Sequence, residues 1–388
     1  MTRREINFGV IGCGLMGREF ASAAARWNHL TADVAHPRIV AACDTSEPVL
    51  RAFCESNPGV RAVPDYRHLL ASPDVEALYI AVPHHLHAEI YTAAIRAGKH
   101  FLGEKPFGID RAANAAINAE LANRPELVVR CSSEFPFFPG VQRIVSLVKS
   151  GAIGRVLEVR CGLLHSSDLD PLKPINWKRM AKFNGEYGCM GDLGLHAAHV
   201  PFRLGFTPRD VRAVLTKVVK ERPDAKGGTL PCDTWDNALL TCTCGAGPDD
   251  EFPMILEMKR IAPGNTNTWF FAIDGTRASA RFSTRNPRTL EALFYERGKP
   301  QAWLREDIGY QSAYPSITGG IFEFGFTDAI QQMWAAYCDE LAAGASGMKQ
   351  PFSCATPGEV ELSHRLFDAA LISHRDRAVV KVEAGGRA

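Results

Sequence analysis

The sequence predicts an α/β doubly wound parallel sheet followed by an α+β domain with a mostly antiparallel open sheet. Three observations carry that expectation. From Ile6 to Cys131, apolar runs of strand length alternate with helical segments, the pattern of βαβ units. Gly12-Cys13-Gly14-Leu15-Met16-Gly17 follows the first apolar run directly and opens an Ala-rich helix. Beyond Pro136 the strand-like runs succeed one another with short turns and no helix between them, as in antiparallel sheets.

The first run, Ile6–Gly12, is apolar without alternation after Asn7, which suits a strand covered on both faces. In this position a GxGxxG turn has the context of dinucleotide binding. Gly12 permits the tight turn, Gly14 lets the backbone approach a pyrophosphate, and Gly17 lets helix and strand pack closely. Leu15 and Met16 lie at the helix N-terminus, whose N–H groups and partial positive charge suit phosphates. The second strand, Arg38–Asp44, ends in an acid that can accept from ribose hydroxyls and repels a 2′-phosphate. That favours NAD, with NADP as the second option; Thr45 is the next residue on this rim. Gly17 and Asp44 are further apart than the usual ~20 residues, and the surplus, NHLTADVAHP, reads as a loop.

The alternation continues through a short helix (DYRHLLASP), a strand over Val75–Pro83 and a helix stopped by Gly98. A strand (KHFLGEKP), a helix (DRAANAAINAELAN) and a final strand (ELVVRCS) follow. Ligands of such sheets bind outside the carboxyl ends of the strands. Gly12–Gly17, Asp44, Pro83, His84, Glu104, Lys105, Pro106 and Ser132–Glu134 are therefore expected on one rim.

The expected division is 1–132 for nucleotide binding and 133–388 for substrate binding and oligomerisation, with the helices of 327–376 able to pack back on the first part. In the second part, Asn184–Gly205 passes from a Gly-rich segment into an apolar helix. Asp192 and His196 stand four apart and share a face if the helix has begun by Asp192; His199 is close to it. Three readings stay open at this point. His196 is a general base oriented by Asp192; or Asp192, His196 and His199 hold a metal with His165 as fourth ligand; or these are solvated or core-satisfied polar residues.

Composition narrows the classes. The 388 residues carry 44 basic and 43 acidic side chains, a net charge of +1, so no electrostatic footprint for nucleic acid or an anionic membrane exists. No run approaches the ~18–20 apolar residues of a membrane span, and no signal-peptide pattern opens the sequence. The 11 cysteines include no CxxC pair, which points to free thiols and a cytoplasmic location.

Gly12–Gly17, Asp44, AVPHHLHAE (Ala81–Glu89), Glu104-Lys105-Pro106, SGAIGRVLEV (Ser150–Val159), GDLGLH (Gly191–His196) and the terminal TPGEVELSHRLFDAALISHR occur in order. Together they resemble the Gfo/Idh/MocA family of nicotinamide-dependent oxidoreductases over nearly the whole chain. The resemblance implies a Rossmann domain and an NAD(P)-dependent dehydrogenase or reductase. Hydride would pass between nicotinamide C4 and a secondary alcohol or ketone carbon of a sugar, glycoside or cyclitol. It implies that Lys105 orients substrate and stabilises the alkoxide, that Asp192 aligns the hydroxyl, and that His196 is the general acid/base, without a metal. Pro83, His84 and His87 match the segment lining the cofactor, as do Glu104, Lys105 and Pro106, and Lys105–Pro106 is the bond that relatives often hold cis. Trp177-Lys178 matches a Trp-Arg leading into the substrate pocket; Lys178 is a weaker bidentate clamp than arginine. Glu134, His165, Tyr187 and the neighbouring Glu186 complete the expected substrate side, the last two because they replace the usual glycines. A homodimer or homotetramer through the open sheet is expected. The rivals are an NAD-dependent glycoside hydrolase on the same scaffold, a non-catalytic nucleotide-sensing regulator and a metallo-hydrolase.

Overall fold

A computed structural model describes residues 4–224, 226–309, 311–319, 321–350 and 352–383. The chain forms two compact units: Met1–Gly108, Ala112–Phe137 and Gln311–Pro357 make the first, and Ile109–Arg111, Phe138–Tyr310 and Gly358–Ala388 the second.

The first unit holds six strands: β1 (Glu5–Ile11), β2 (His36–Cys43), β3 (Arg61–Val63), β4 (Ala77–Ile80), β5 (His100–Gly103) and β6 (Val129–Cys131). They pair in the order β3-β2-β1-β4-β5-β6, all in parallel. This is a doubly wound sheet whose order reverses between β1 and β4. β1 and β4 are buried through Ile11 and Ile80, which explains their unbroken apolar runs. The helix Glu47–Ser56 and the three-residue β3 are not foreseen by the sequence reading. β4 and β5 are shorter than expected: β4 stops at Ile80 and β5 at Gly103. Pro83 and Glu104-Lys105-Pro106 therefore stand beyond the strands, where proline, lacking an N–H, leaves no ladder bond unmade. A later helix, Phe326–Ala343, belongs to this unit. Its Trp334 stacks on Phe20 with ring centroids 3.7 Å apart and meets Phe8 and Tyr79 edge-on.

The second unit is built on nine strands: β7 (Val156–Leu164), β8 (Asp210–Thr216), β11 (Asn237–Cys244), β12 (Phe252–Lys259), β13 (Thr268–Gly275), β14 (Ala278–Ser283), β15 (Thr289–Phe294), β16 (Leu304–Asp307) and β17 (Val380–Lys381), with β9 (Glu221–Pro223) and β10 (Thr229–Pro231) forming a separate hairpin. The order is β16-β15-β14-β13-β7-β12-β11-β8-β17. Its described pairs are antiparallel except β7 with β12. β15, β16 and β17 extend the sheet beyond the strands read from the sequence. Alternation decides the faces: in β11, Ala238, Leu240, Cys242 and Cys244 are buried while Leu239 is exposed. The helix Cys189–Arg203 lies over β7 and β12, and the indole of Trp269 on β13 donates to the carbonyl of His196 at 2.8 Å.

All 11 cysteines are free thiols. Among the described residues no helix is long and apolar enough to cross a membrane.

Candidate functional site

In the first unit the glycine turn closes over the end of β1. Gly12 has φ of +98°, and a Cβ there would meet the Ala81 carbonyl at 2.2 Å. A Cβ on Gly17 would come within 2.2 Å of the Gly12 carbonyl. Gly14 differs, since nothing lies within 4 Å of its Cβ position. Gly14 also caps the helix Leu15–Ala25, with no side chain on the helix N–H groups. An uncapped N-terminus behind an open glycine is a ready anion cradle. Asp44 stands at the end of β2 and accepts from the Cys13 N–H and the Ser46 N–H, each at 2.8 Å. The acid is thereby tied to the turn, and each oxygen keeps a second lone pair for a ribose hydroxyl. Thr45 is exposed beside it. Open turn, bare helix end and strand-end acid fit NAD.

Glu104 is anchored from four directions. Its N–H donates to the Ile80 carbonyl at 3.0 Å, and its carbonyl accepts from Tyr91 Oη at 2.8 Å. Its Oε1 accepts from Tyr79 Oη at 2.7 Å and Ser132 Oγ at 2.6 Å. The carboxylate read from the sequence as charge on the rim is thus a buried fastener for the backbone that carries Lys105. The Lys105–Pro106 bond is cis, and the following Phe107 is buried with φ of +63°. Asn114 Nδ2 donates to the Phe107 carbonyl at 2.9 Å. His87 is buried, stacked on Tyr91 and bonded through Nε2 to the Val82 carbonyl at 3.0 Å. It braces the segment from beneath, beside the buried His84. Glu134 is buried as well; burial first, and then the Glu104 charge, push its carboxyl up to about 7.

In the second unit, the helix has begun by Cys189, so Asp192 and His196 do lie one turn apart, 3% and 5% exposed. Asp192 is gripped by cations from outside the helix. Lys178 Nζ reaches Oδ1 at 3.0 Å and Oδ2 at 3.2 Å, and Arg260 Nη2 meets Oδ2. Lys178 is itself aimed by its backbone: Asn176 Oδ1 accepts its N–H and Thr234 Oγ1 donates to its carbonyl, both at 3.0 Å. Its ammonium lies 5.6 Å from the centroid of the Trp177 ring. Behind this pair, the buried Arg179 joins Asp168 at 2.5 Å to Asp236 at 3.0 Å. Lys173 Nζ meets Asp168 at 2.9 Å. Burial pushes the Asp168 carboxyl up, but Arg179, Lys173 and Arg260 outweigh it and hold it below the usual carboxylate range. His165, just past β7, is pushed down by burial and so tends to neutrality. Together, His165, Asp168, Lys173, Trp177, Lys178, Asp192 and Arg260 line much of a cavity of about 240 Å³.

Two expected substrate residues lie elsewhere. Tyr187 is buried against His364 and Phe367 and donates to Asp368 at 2.6 Å; burial and Asp368 raise its hydroxyl well above the usual range. Glu186 is exposed. His199, a ligand in the metal reading, faces Arg203 at 3.0 Å and Glu359 at 3.6 Å. The sequence reading passed over Arg260, Asp168, Lys173, Arg179 and Asp236. One signal was present: the basic pair Lys259-Arg260 closes the apolar run of β12.

Two family models match the chain. One, described as an oxidoreductase family with an NAD-binding Rossmann fold, matches residues 6–132; the other, the Gfo/Idh/MocA C-terminal domain, matches residues 141–281. Levoglucosan dehydrogenase of Pseudarthrobacter phenanthrenivorans is 29% identical over 318 residues, 75% of this chain and 77% of that protein. Inositol 2-dehydrogenase 2 of Saccharopolyspora erythraea is 32% identical over 163 residues, 42% of this chain and 44% of that protein. Among solved structures, levoglucosan dehydrogenase in complex with NADH superposes with a TM-score of 0.87 at 23% identity, covering 98% of this chain and 100% of that one. An inositol dehydrogenase homologue from Azotobacter vinelandii, complexed with NADH and myo-inositol, gives 0.78 at 20% identity, covering 98% of each chain. The motifs, both family models and the shared fold agree: this chain belongs to the Gfo/Idh/MocA family and is an NAD-binding oxidoreductase.

Proposed function

We propose that the chain is a dehydrogenase that oxidises a secondary alcohol of a sugar, glycoside or cyclitol, with the first unit binding NAD and the second the substrate. The observation that carries this reading is Asp192. It is a buried carboxylate, held by two cations one helical turn from His196, at the wall of a polar cavity. When bound, NAD supplies the hydride acceptor. His196 removes the hydroxyl proton, and the ketone forms as the carbon's hydride leaves. Asp192, fixed by Lys178 and Arg260, orients the substrate hydroxyl. Lys105 offsets the negative charge developing on oxygen, a task that a preorganised cation performs well in a dry site. Relatives named for levoglucosan and inositol support a polyhydroxylated ring as the substrate class.

The reading extends to assembly. Leu157, Val214, Leu239, Phe294 and Leu304 are exposed on the open sheet, an apolar set suited to pairing two copies. Sedimentation as a monomer at micromolar concentration would remove this part.

The test of the main reading follows NADH absorbance across levoglucosan, myo-inositol, hexoses and their glycosides. Turnover with at least one member is expected. Failure with every member, in protein that binds NADH, would overturn the assignment.

A further inference from the structure

Resting on the dehydrogenase reading, the second unit's cavity also says something about the substrate's charge. Its ionic network runs in a defined order. Asp192 is bound by Lys178 and Arg260. Arg260 continues to Asp168 through its other terminal nitrogen at 3.9 Å. Asp168 is bound in turn by Lys173 and Arg179, and Arg179 ends on Asp236. The connected set comprises Lys173, Lys178, Arg179 and Arg260 against Asp168, Asp192 and Asp236, an excess of one positive charge. His165, which also lines the cavity, cannot offset it, since imidazole carries no negative charge. Asp170, the nearby acid on the same loop, is exposed and accepts from the Leu172 N–H at 2.9 Å.

The excess is not balanced from behind. The buried Arg222 spends its guanidinium on the carbonyls of Asp168, Asp170 and Lys173. Arg222 does not line the cavity, and among the charged residues that do, Lys173, Lys178 and Arg260 exceed Asp168 and Asp192 by one. Arg260 is 4% exposed, lines the cavity, and its Nε has no acceptor among the described residues. A buried guanidinium donor without an acceptor is costly unless a ligand satisfies it.

Position assigns the charge. Asp192 and His196 mark the reacting end, while Lys173 sits at the Asp168 end, with Arg260 between them. We infer that the substrate is an acidic sugar or polyol, its carboxylate bound at the Arg260–Lys173 end while its hydroxyl reacts at Asp192 and His196. A carboxylate rather than a phosphate matches the single surplus charge, because a phosphate monoester carries about −1.5 to −2 at neutral pH. Planar guanidinium against planar carboxylate is also the stronger geometric match.

The experiment compares NADH formation from glucose with glucuronate, galactose with galacturonate, and glucose 6-phosphate as the phosphate arm. At least one uronate should exceed its parent sugar in kcat/KM by about tenfold or more, the scale of one charge-assisted hydrogen bond. Lys173→Gln should bring that ratio close to one. Lys173 is partly exposed and Arg179 still holds Asp168, so this variant should fold, with its melting temperature lowered by no more than a few degrees. NADH from neutral sugars at equal or higher kcat/KM would overturn the inference while leaving the dehydrogenase reading intact. So would a preference for the phosphate ester, or an unchanged ratio in Lys173→Gln. No NADH from any arm would overturn the inference, and the dehydrogenase reading would then be decided by levoglucosan, myo-inositol and the glycosides.

Discussion

Lys178 Nζ spans both oxygens of Asp192, 3.0 Å from Oδ1 and 3.2 Å from Oδ2. One ammonium therefore sets the orientation of the whole carboxylate, with Arg260 holding it from the second side. Lys178→Met should lower kcat/KM about 10- to 100-fold, the range for a hydrogen bond to a charged group. NADH affinity should not change. Lys178→Arg, which keeps the charge and adds a planar fork, should recover most of the activity. Steady-state kinetics of the pair decide it, and an unaltered Lys178→Met enzyme would detach Lys178 from the reaction.

The turn glycines separate folding from cofactor binding. Gly12→Ala places a Cβ 2.2 Å from the Ala81 carbonyl at a φ of +98°, so it should destabilise the protein by several kcal/mol or prevent folding. Gly14→Ala meets nothing within 4 Å. It should melt within about 2 °C of wild type yet bind NADH at least about tenfold more weakly, because its methyl fills the space a pyrophosphate needs. Thermal melts with fluorescence titration of NADH test both arms. Equal NADH affinity in Gly14→Ala would move the phosphate site away from this turn.

Lys105→Ala and His196→Ala should each bind NADH and lose about 10²- to 10⁴-fold in kcat, the usual contribution of a proton-transfer or charge-stabilising group. Near-wild-type turnover in either one would cancel its assigned role.

His199 makes stability depend on pH. Burial, the largest influence, lowers its imidazole to about 3 despite the opposing charge of Glu359, with Arg203 acting in the same direction as burial. The unfolded chain binds a proton at pH below about 6.5 while the folded chain does not. The stabilisation from neutral His199 is therefore complete above about 6.5 and is lost as pH falls toward 3. Near 1.4 kcal/mol per unit, about 2 kcal/mol should disappear between pH 6.5 and 5. Denaturant unfolding at the two pH values measures it, and His199→Gln should flatten the slope. Parallel pH dependences in the two proteins would assign the loss to other groups.

What could be read in advance follows from how local each signal is. Gly12–Gly17 carries its own context of strand, turn and helix within a dozen residues, and Asp192 and His196 are linked by helical period alone. β3 is three residues long, too short for any period to show. Tyr187 is expected at the substrate because it replaces a glycine usual in the resembling family, yet its partner Asp368 is 181 positions away. Arg260 left only the basic pair at the end of β12 as a local trace, for the same reason: its meeting with Asp192 exists only after β12 lies beneath the helix. Glu104 shows the limit most clearly, since its donors Tyr79 and Ser132 come from either side of it in sequence.

The chain completes its nucleotide unit only on a second visit. Trp334, which stacks on Phe20 and meets Phe8 and Tyr79, arrives after the nine-stranded sheet has been nearly traversed. A ribosome must therefore deliver most of the polypeptide before the dinucleotide-binding half can close its aromatic core. A gene fusion that swaps the two halves at a single junction near residue 137 would leave that core open on one parent and carry a stray tryptophan helix into the other.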